Sequence, residues 1–422
     1  MGVPDGHGAH APTAGRERLA LLDALRGFAL FGVLLVNLRS FSLYGFLTPA
    51  AKADLPTAGI DRLLGTLTAM AVDGTSITLF SILFGVGFAM QMQRAAGQPG
   101  RVARHARRML VLLAIGVVHA WLFWWGDILR YYAVLGLVLA PFARLPTVLL
   151  VALGGLVLLV LPLLLQPLVP SLLPAQASAA ESAALSLAAF SDDNWAAMLQ
   201  ANFERDLRMR IAVWVLPTYV LGRLLIGMAF VHSGVLLDAP AHLRFWRRLC
   251  VVALLLGIAM TVALLLREHA GTSPSLAWLG EPTGKMLLRV IRNAVPLALA
   301  LFYLSAFVLV FRTPAGQRWL GWLAPVGRMA LTNYLAQTLI AIALFYGIGL
   351  GIGPRFGLLG VSVAAVSIFL LQAAASTWWL ARFRFGPMEW LWRNLTYGRV
   401  HPLRRARAAA DEDAALAAAT VR

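Results

Sequence analysis

The sequence predicts an all-α polytopic membrane protein, a bundle of about ten transmembrane helices with both termini in the cytoplasm. The first observation is composition. Of the 422 residues, 60% are hydrophobic and only 13% are charged, and the mean hydropathy is +0.76, a balance that excludes a soluble domain of this length. The second is a series of apolar runs long enough to cross a bilayer. The third is an uneven distribution of arginine between them.

The apolar runs follow one another along the whole chain, and each approaches the roughly 17 to 25 residues that span a bilayer. The second run starts after Asp73 and Gly74, which interrupt a weaker helical stretch, and a tight turn at Gly126 and Asp127 joins the third to the fourth. The predicted spans are 24–44, 75–93, 109–126, 128–144, 147–170, 211–236, 249–267, 291–311, 327–347 and 357–380.

Arginine is concentrated in the segments that would lie on one side of the membrane. These are the N-terminal tail and the connections after the second, sixth, eighth and tenth spans, with residues Arg16, Arg18, Arg94, Arg101, Arg104, Arg107, Arg108, Arg244, Arg247, Arg248, Arg312, Arg318, Arg382, Arg384, Arg393 and Arg399. The segment 171–210, by contrast, carries more acidic residues than arginines. The positive-inside rule therefore places both termini in the cytoplasm and 171–210 outside.

One transmembrane domain, 19–400, accounts for most of the chain. It includes the extracytoplasmic loop 171–210 and a cytoplasmic interfacial segment, 381–400. Residues 1–18 form a polar cytoplasmic tail, and the span behind it holds Asp23 and Arg26 without a cleavage site, which indicates a start-transfer helix rather than a removed signal peptide. The alanine-rich residues 401–422 have little to bury and are predicted to be flexible.

Several classes of function have no support in the sequence. Cys250 is the single cysteine, so neither a disulfide framework nor a thiolate zinc site is available, and no metal site is expected. The chain lacks the His-Glu-x-x-His, Walker and nucleophile-elbow motifs. The net charge of +17 comes without a nucleic-acid-binding motif, so we assign it to orientation and to contact with lipid headgroups.

Polar groups inside the spans are the functional candidates, because each costs about 2.5 to 3.5 kcal/mol at mid-membrane. In "LLDALRGFALFGVLLVN", Asp23 and Arg26 are three residues apart and share a helix face. One interpretation is an ion pair that orients the helix at the cytoplasmic interface. The alternative is an arginine held by an aspartate so that its fork receives a phosphate from the cytoplasm.

A second group consists of His119 in the third span and of Asp127 and Arg130 just after it, among tryptophans and tyrosines. His119 lies about 12 Å below Asp127 if the segment is helical, and therefore within the hydrocarbon. It is either a neutral imidazole bonded to another helix or a general base that deprotonates an acceptor, with Asp127 helping to admit or orient that acceptor.

A third group, in the ninth span, consists of Arg328, Asn333 and Gln337. Its amides either bond neighbouring helices or stabilise an oxyanion. Near the last span, "FRFGPMEWLWRNLTYGR" spaces Glu389 four residues before Arg393, as in an interfacial amphipathic helix. That segment and the Arg94–Arg108 connection are rival cytoplasmic sites for the phosphates of a nucleotide-like donor.

Five ordered blocks resemble the YeiB-like family, bacterial membrane proteins with a domain of unknown function. They are "LLDALRGFALFGVLLVN", "LFSILFGVGFAMQMQRA", "GVVHAWLFWWGDILRYYAVLG", "GRMALTNYLAQ" and "FRFGPMEWLWRNLTYGR". The family is grouped with the transmembrane acyltransferase superfamily, in which cytoplasmic acyl-CoA supplies a group to an acceptor across the membrane. The resemblance implies a bacterial cytoplasmic membrane protein with acyl-CoA as donor.

The superfamily's first-helix pattern maps onto Asp23, Arg26 and Asn37, which the resemblance implies as donor-binding residues. In the polysaccharide acyltransferases the last position is histidine, and Asn37 cannot replace it as a base. The base predicted here is His119, with Asp127 as its catalytic partner and Arg328, Asn333 and Gln337 as supporting polar groups. The acceptor is expected to be an outward-facing envelope glycan, lipid or metabolite. The alternative function is a transporter or flippase that uses the same polar groups without covalent chemistry.

Overall fold

The computed structural model describes residues 11–165, 178–267 and 278–405, and across these ranges the chain is helical, without a β-strand. The helices are α1 Ala11–Phe41, α2 Pro49–Ala53, α3 Ala58–Ala71, α4 Thr75–Arg94, α5 Arg101–Leu122, α6 Leu129–Val138, α7 Thr147–Gly155, α8 Leu161–Leu165, α9 Ala179–Ser191, α10 Trp195–Ala212, α11 Leu216–His232, α12 Leu243–Leu266, α13 Pro282–Phe311, α14 Pro314–Leu320, α15 Ala324–Arg328, α16 Ala330–Phe345, α17 Gly357–Arg382 and α18 Pro387–Tyr397.

Among the described residues, seven helical stretches are long and apolar enough to cross a membrane, and there are nine if each of two bent helix pairs counts as one span. The predicted all-helical membrane fold is confirmed. A helix lies in every predicted span, but 128–144 contains only α6, whose 10 residues rise about 15 Å and fall short of the roughly 30 Å hydrocarbon core. Residues 166–170 of the fifth prediction lie outside the described ranges.

Helix α1 lies at the centre of the bundle and packs against α4, α15, α16 and α17. Residues on opposite sides of it are fully buried, among them Leu25, Leu34 and Leu38 at 0% exposure. By contrast, α12 presents an apolar face that includes Val251 and Leu255 to the outside, which suits contact with lipid. Because α1 is surrounded by other helices, its half-buried residues Asp23, Arg26 and Asn37 lie within the protein rather than against the bilayer.

Glycines allow two of these contacts to form backbone to backbone. A Cβ on Gly27 would overlap the carbonyl of Leu323, and one on Gly327 would overlap the carbonyl of Asp23, so α1 and α15 touch without intervening side chains. Small residues at such crossings are typical of membrane helices. The close approach brings the end of α15 against the first turns of the α1 span, beside Asp23 and Arg26.

The segment predicted as an outer loop, 171–210, is largely helical, although 171–177 lie outside the described ranges. Ser178 caps α9 by accepting from the Glu181 N–H at 3.1 Å, and Asn194 caps α10 by accepting from two backbone N–H groups. Such caps satisfy the free N–H groups of a first helical turn. Helix α1 begins at Ala11, and its apolar stretch long enough to cross a membrane begins at Leu19.

Candidate functional site

A cavity of about 1110 Å³ lies between α1, α4, α5, α6, α16 and α18. One face of α1 lines it throughout, because Leu19, Leu22, Arg26, Leu30, Val33 and Asn37 recur at helical spacing. At 1.5 Å per residue this stripe is about 27 Å long, close to the thickness of a hydrocarbon core. The cavity is therefore long enough to connect the two sides of a membrane.

One end of the cavity, hereafter the arginine-rich end, is strongly cationic. Glu389 is the one acidic side chain among the lining residues, and the cationic ones are Arg26, Arg94, Arg101, Arg104, Arg108, Arg328, Arg393 and Arg399. Charge of this density attracts an anion, and guanidinium groups bind phosphate bidentately. The middle of the cavity is apolar, with lining residues Leu30, Leu83, Phe84, Met109 and Leu112. Together these surfaces fit an anionic group attached to a long, less polar arm.

The two rival phosphate sites expected from the sequence line the same cavity. Arg108 of α5 stacks over the Trp392 ring of α18, with its guanidinium carbon 4.2 Å from the ring centroid, and donates to Gln91 of α4 at 3.0 Å. The indole N–H of Trp392 in turn donates to the Arg108 carbonyl at 2.8 Å. The contacts join α4, α5 and α18 at the arginine-rich end.

The predicted pair of Asp23 and Arg26 forms, with Nη1 of Arg26 2.8 Å from Oδ1 of Asp23. Arg26 lines the cavity and Asp23 does not. The side chain of Arg26 is 30% exposed, and its other terminal nitrogen faces Gly87 of α4. Arg328, predicted as a supporting residue, also lines this end. Asp23 thus holds a guanidinium that remains open to the cavity.

The opposite end of the cavity, hereafter the far end, is formed by Asn37 and by Gly74 and Ser76 at the start of α4. Neither the Asn37 amide nor the Ser76 hydroxyl has a hydrogen-bond partner among the described residues. Asn37 lies 11 positions after Arg26, about 16 Å along the helix. The three residues predicted from the first-helix pattern are consequently split between the two ends of one cavity.

His119 lies behind the far end and does not line the cavity. Its Nδ1 is 2.8 Å from Oδ2 of Asp127, and its Nε2 is 2.9 Å from the hydroxyl of Thr338 on α16. Because the carboxylate accepts, Nδ1 carries the proton and Nε2 accepts from Thr338 in the neutral ring. The ring of Tyr334, whose centroid is 5.3 Å from that of His119, stands between His119 and the cavity.

Asp127 belongs to a buried ionic network that reaches α10. Its Oδ1 accepts from the backbone and side chain of Arg130. Arg130 then forms a bidentate pair with Asp206 of α10, at 2.9 and 2.7 Å. Beside it, Asn202 of α10 accepts from the Trp125 N–H and donates to two carbonyls at the end of α5. The network fixes the orientation of His119 and fastens α10 over it.

The amides predicted in the ninth span are bonded within the bundle. Asn333 donates to the Val326 carbonyl and to Ser376 of α17, and Gln337 donates to Gln372. Neither residue lines the cavity, whereas Arg328 does. These contacts match the interpretation in which the two amides bond neighbouring helices.

Glu389 turns inward instead of pairing with Arg393. Its carboxylate accepts from the backbone N–H groups of Leu331 and Thr332, at 2.7 and 3.1 Å, and from the Thr332 hydroxyl at 2.6 Å. These donors belong to the first turn of α16, where the N–H groups lack helical partners. Burial raises the pKa of the Glu389 carboxyl despite these bonds. Arg393 stacks on Phe385 and Tyr397.

Comparison with known proteins finds relatives of this chain in bacteria. A family described as "Protein of unknown function (DUF418)" matches residues 230–399. The chain is 30% identical to the uncharacterized protein YxaH of Bacillus subtilis (strain 168), over 93% of this chain and 97% of the relative. It is 31% identical to the uncharacterized protein YeiB of Escherichia coli (strain K12), over 92% and 98% respectively.

The chain belongs to the DUF418 family. An uncharacterized 39.9 kDa protein of Bacillus acidopullulyticus is also 28% identical over 93% of this chain and 97% of the relative. No solved structure matches the chain significantly. The resemblance to the YeiB-like family is confirmed, whereas membership of the acyltransferase superfamily remains a proposal.

Several site residues of this DUF418 protein were not predicted. Thr338 bonds His119 from 219 residues away, and Ser76 lines the far end. His105 is a buried residue of α5 that lines the cavity and bonds the Gly136 carbonyl. The sequence does show that Thr338 is a polar residue within an apolar run, but this does not indicate that His119 is its partner.

Proposed function

We propose that this protein is an acyltransferase of the bacterial cytoplasmic membrane, which moves an acyl group from acyl-CoA to an outward-facing glycan, lipid or metabolite. The observation that carries the proposal is the amphipathic cavity. Its arginine-rich end fits the phosphates of a coenzyme A thioester, and its apolar middle fits the arm that carries the thioester. With the orientation favoured by the arginine asymmetry, the phosphates would bind from the cytoplasm.

The His119 and Asp127 pair supplies the base that such a transfer needs. The acceptor oxygen or nitrogen attacks the thioester carbonyl carbon, the new C–O or C–N bond forms, and the C–S bond breaks. Nε2 of His119 takes the acceptor proton and returns it to the leaving thiolate, while Asp127 stabilises the charged ring from Nδ1. For Nε2 to reach an acceptor, the Thr338 hydroxyl and the Tyr334 ring must move aside.

A transporter or flippase is the second candidate, and the enclosed position of His119 favours it. A path that carries an anionic amphiphile between the two sides needs the cationic end and the apolar middle, but it needs no accessible base. The two candidates differ in whether a covalent bond is broken. They make the same prediction for binding and opposite predictions for turnover.

The deciding experiment is calorimetry of purified protein in detergent with CoA and acetyl-CoA, followed by incubation of the protein with radiolabelled acetyl-CoA and bacterial membranes. We expect binding that weakens with salt, loss of affinity in Arg104→Gln/Arg108→Gln, and transfer of label to a membrane component. The control, Arg312→Gln/Arg318→Gln, removes equal charge from residues that do not line the cavity. Absence of binding would refute the proposal, and binding without label transfer would favour transport.

A further inference from the structure

An ion pair joins the two segments that form the far end of the cavity. Arg39 of α1, two residues after Asn37, pairs its guanidinium with the carboxylate of Asp73, which directly precedes Gly74. Asn37 and Gly74 line the cavity, and the paired residues lie next to them outside the lining. The side chains of Arg39 and Asp73 are 22% and 34% exposed, so the pair is partly open to the surroundings of the protein.

The turn that carries Asp73 is held in place, so side-chain motion is the simplest way to open this end. Gly74 adopts a left-handed conformation, with φ of 71°, and packs against Pro296 of α13. The Tyr303 hydroxyl donates to the carbonyl of Ala71 at 3.0 Å. Because a partly exposed ion pair competes with water and is weak, Arg39 and Asp73 can separate without movement of the helices.

Two polar side chains line the far end close to the pair in the sequence. The Asn37 amide can both donate and accept, and the Ser76 hydroxyl can do the same. Within the described part of the chain neither has a hydrogen-bond partner. These two side chains can therefore form hydrogen bonds with a ligand that carries a hydroxyl or amine group.

We propose that Arg39 and Asp73 form the gate through which the outward acceptor reaches the far end, where Asn37 and Ser76 hold its hydroxyl or amine. The identity of that ligand as an acyl acceptor rests on the proposed function. The gate itself does not rest on it, because the gate follows from a partly exposed ion pair that joins the two segments of the far end.

Cysteine accessibility tests the gate without a known acceptor. Ser76→Cys, made after Cys250→Ser, is treated with a membrane-impermeant cationic methanethiosulfonate from outside intact cells. We expect slow modification while the pair is intact. In Asp73→Asn we expect a rate about two- to fivefold higher, the range that the strength of a partly exposed ion pair implies. The charge swap Arg39→Asp/Asp73→Arg should restore the slow rate.

The matched control is Glu204→Gln, which breaks the partly exposed pair of Glu204 with Arg208 on α10, away from the cavity lining, and should leave the rate unchanged. Asn37→Cys provides a second reporter if Ser76→Cys does not fold, since Ser76 packs tightly on Gly32. Equal rates with and without the Asp73 carboxylate would overturn the gate. Absence of CoA binding would instead refute the acyltransferase proposal, and the labelling result would still apply to the gate.

Discussion

Arg26 uses one nitrogen to bind Asp23 and leaves the rest of its guanidinium for the cavity. Replacement by lysine keeps the charge but removes the fork that binds phosphate bidentately. We expect Arg26→Lys to weaken CoA binding about tenfold or more, because a charged hydrogen bond contributes about 1.5 to 3 kcal/mol. Calorimetry provides the measurement. Unchanged CoA affinity in a folded variant would show that the pair of Asp23 and Arg26 has a structural role only.

His119 has both ring nitrogens bonded, so its substitution separates chemistry from binding. His119→Gln keeps much of the size and some of the hydrogen bonding but cannot transfer a proton. If the acyltransferase proposal holds, transfer should fall about 10²- to 10⁴-fold, with CoA affinity unchanged. His232→Gln is the control, since His232 only bonds the Leu145 carbonyl and lies outside the cavity lining. Near-normal transfer by His119→Gln would show that the base is elsewhere.

Local spacing predicted the contacts that lie within one helix or turn and missed those between distant segments. Asp23 and Arg26 pair as their three-residue separation indicated. The bond from Thr338 to His119 depends on how α16 packs against α5, which no periodicity encodes. Glu389 lies four residues before Arg393, a spacing typical of helical ion pairs, but it binds the N–H groups at the start of α16, which lack helical partners.

At the scale of helices, Glu389 gives α16 the cap that its own sequence lacks. Burial raises the pKa of this carboxyl, so the folded protein holds its proton more tightly than the unfolded chain does. The resulting stabilisation is complete below the unfolded pKa of about 4.3 and is lost as pH rises through the folded pKa. We expect the melting temperature of Glu389→Gln, scanned from acid to neutral pH, to show a weaker decline than that of the natural protein. Parallel curves would contradict this.

Hydropathy located the spans but not the break inside the ninth. The apolar run 327–347 was expected to be continuous, whereas α15 ends at Arg328 and the stretch Pro314–Arg328 meets α16 at 79°. A bend frees backbone groups without changing the hydropathy of the sequence. Here Glu389 and Asn333 satisfy some of them, as a membrane interior requires. Glu389 lies on α18 and Asn333 lies beyond the break, so the mean hydropathy of the residues around the break does not reveal either partner.

At the scale of the whole molecule, the arginine asymmetry predicts which end of the cavity faces the cytoplasm. With Cys250 replaced, Ser191→Cys at the end of α9 should react with an impermeant maleimide added to intact cells, and Ala96→Cys after α4 should react only once the membrane is permeabilised. Both positions are exposed. The reverse pattern would turn the arginine-rich end outward and remove the argument for a cytoplasmic acyl donor.

The bond between Arg130 and Asp206 constrains how the protein is made. The two residues are 76 positions apart, so at about 5 to 20 residues per second the ribosome adds Asp206 roughly 4 to 15 s after Arg130. During this interval Asp127, synthesised just before Arg130, is the counter-charge already present in the chain. Asp127 can therefore pair with Arg130 before Asp206 exists, and the packing of α6 against α5 need not wait for α10.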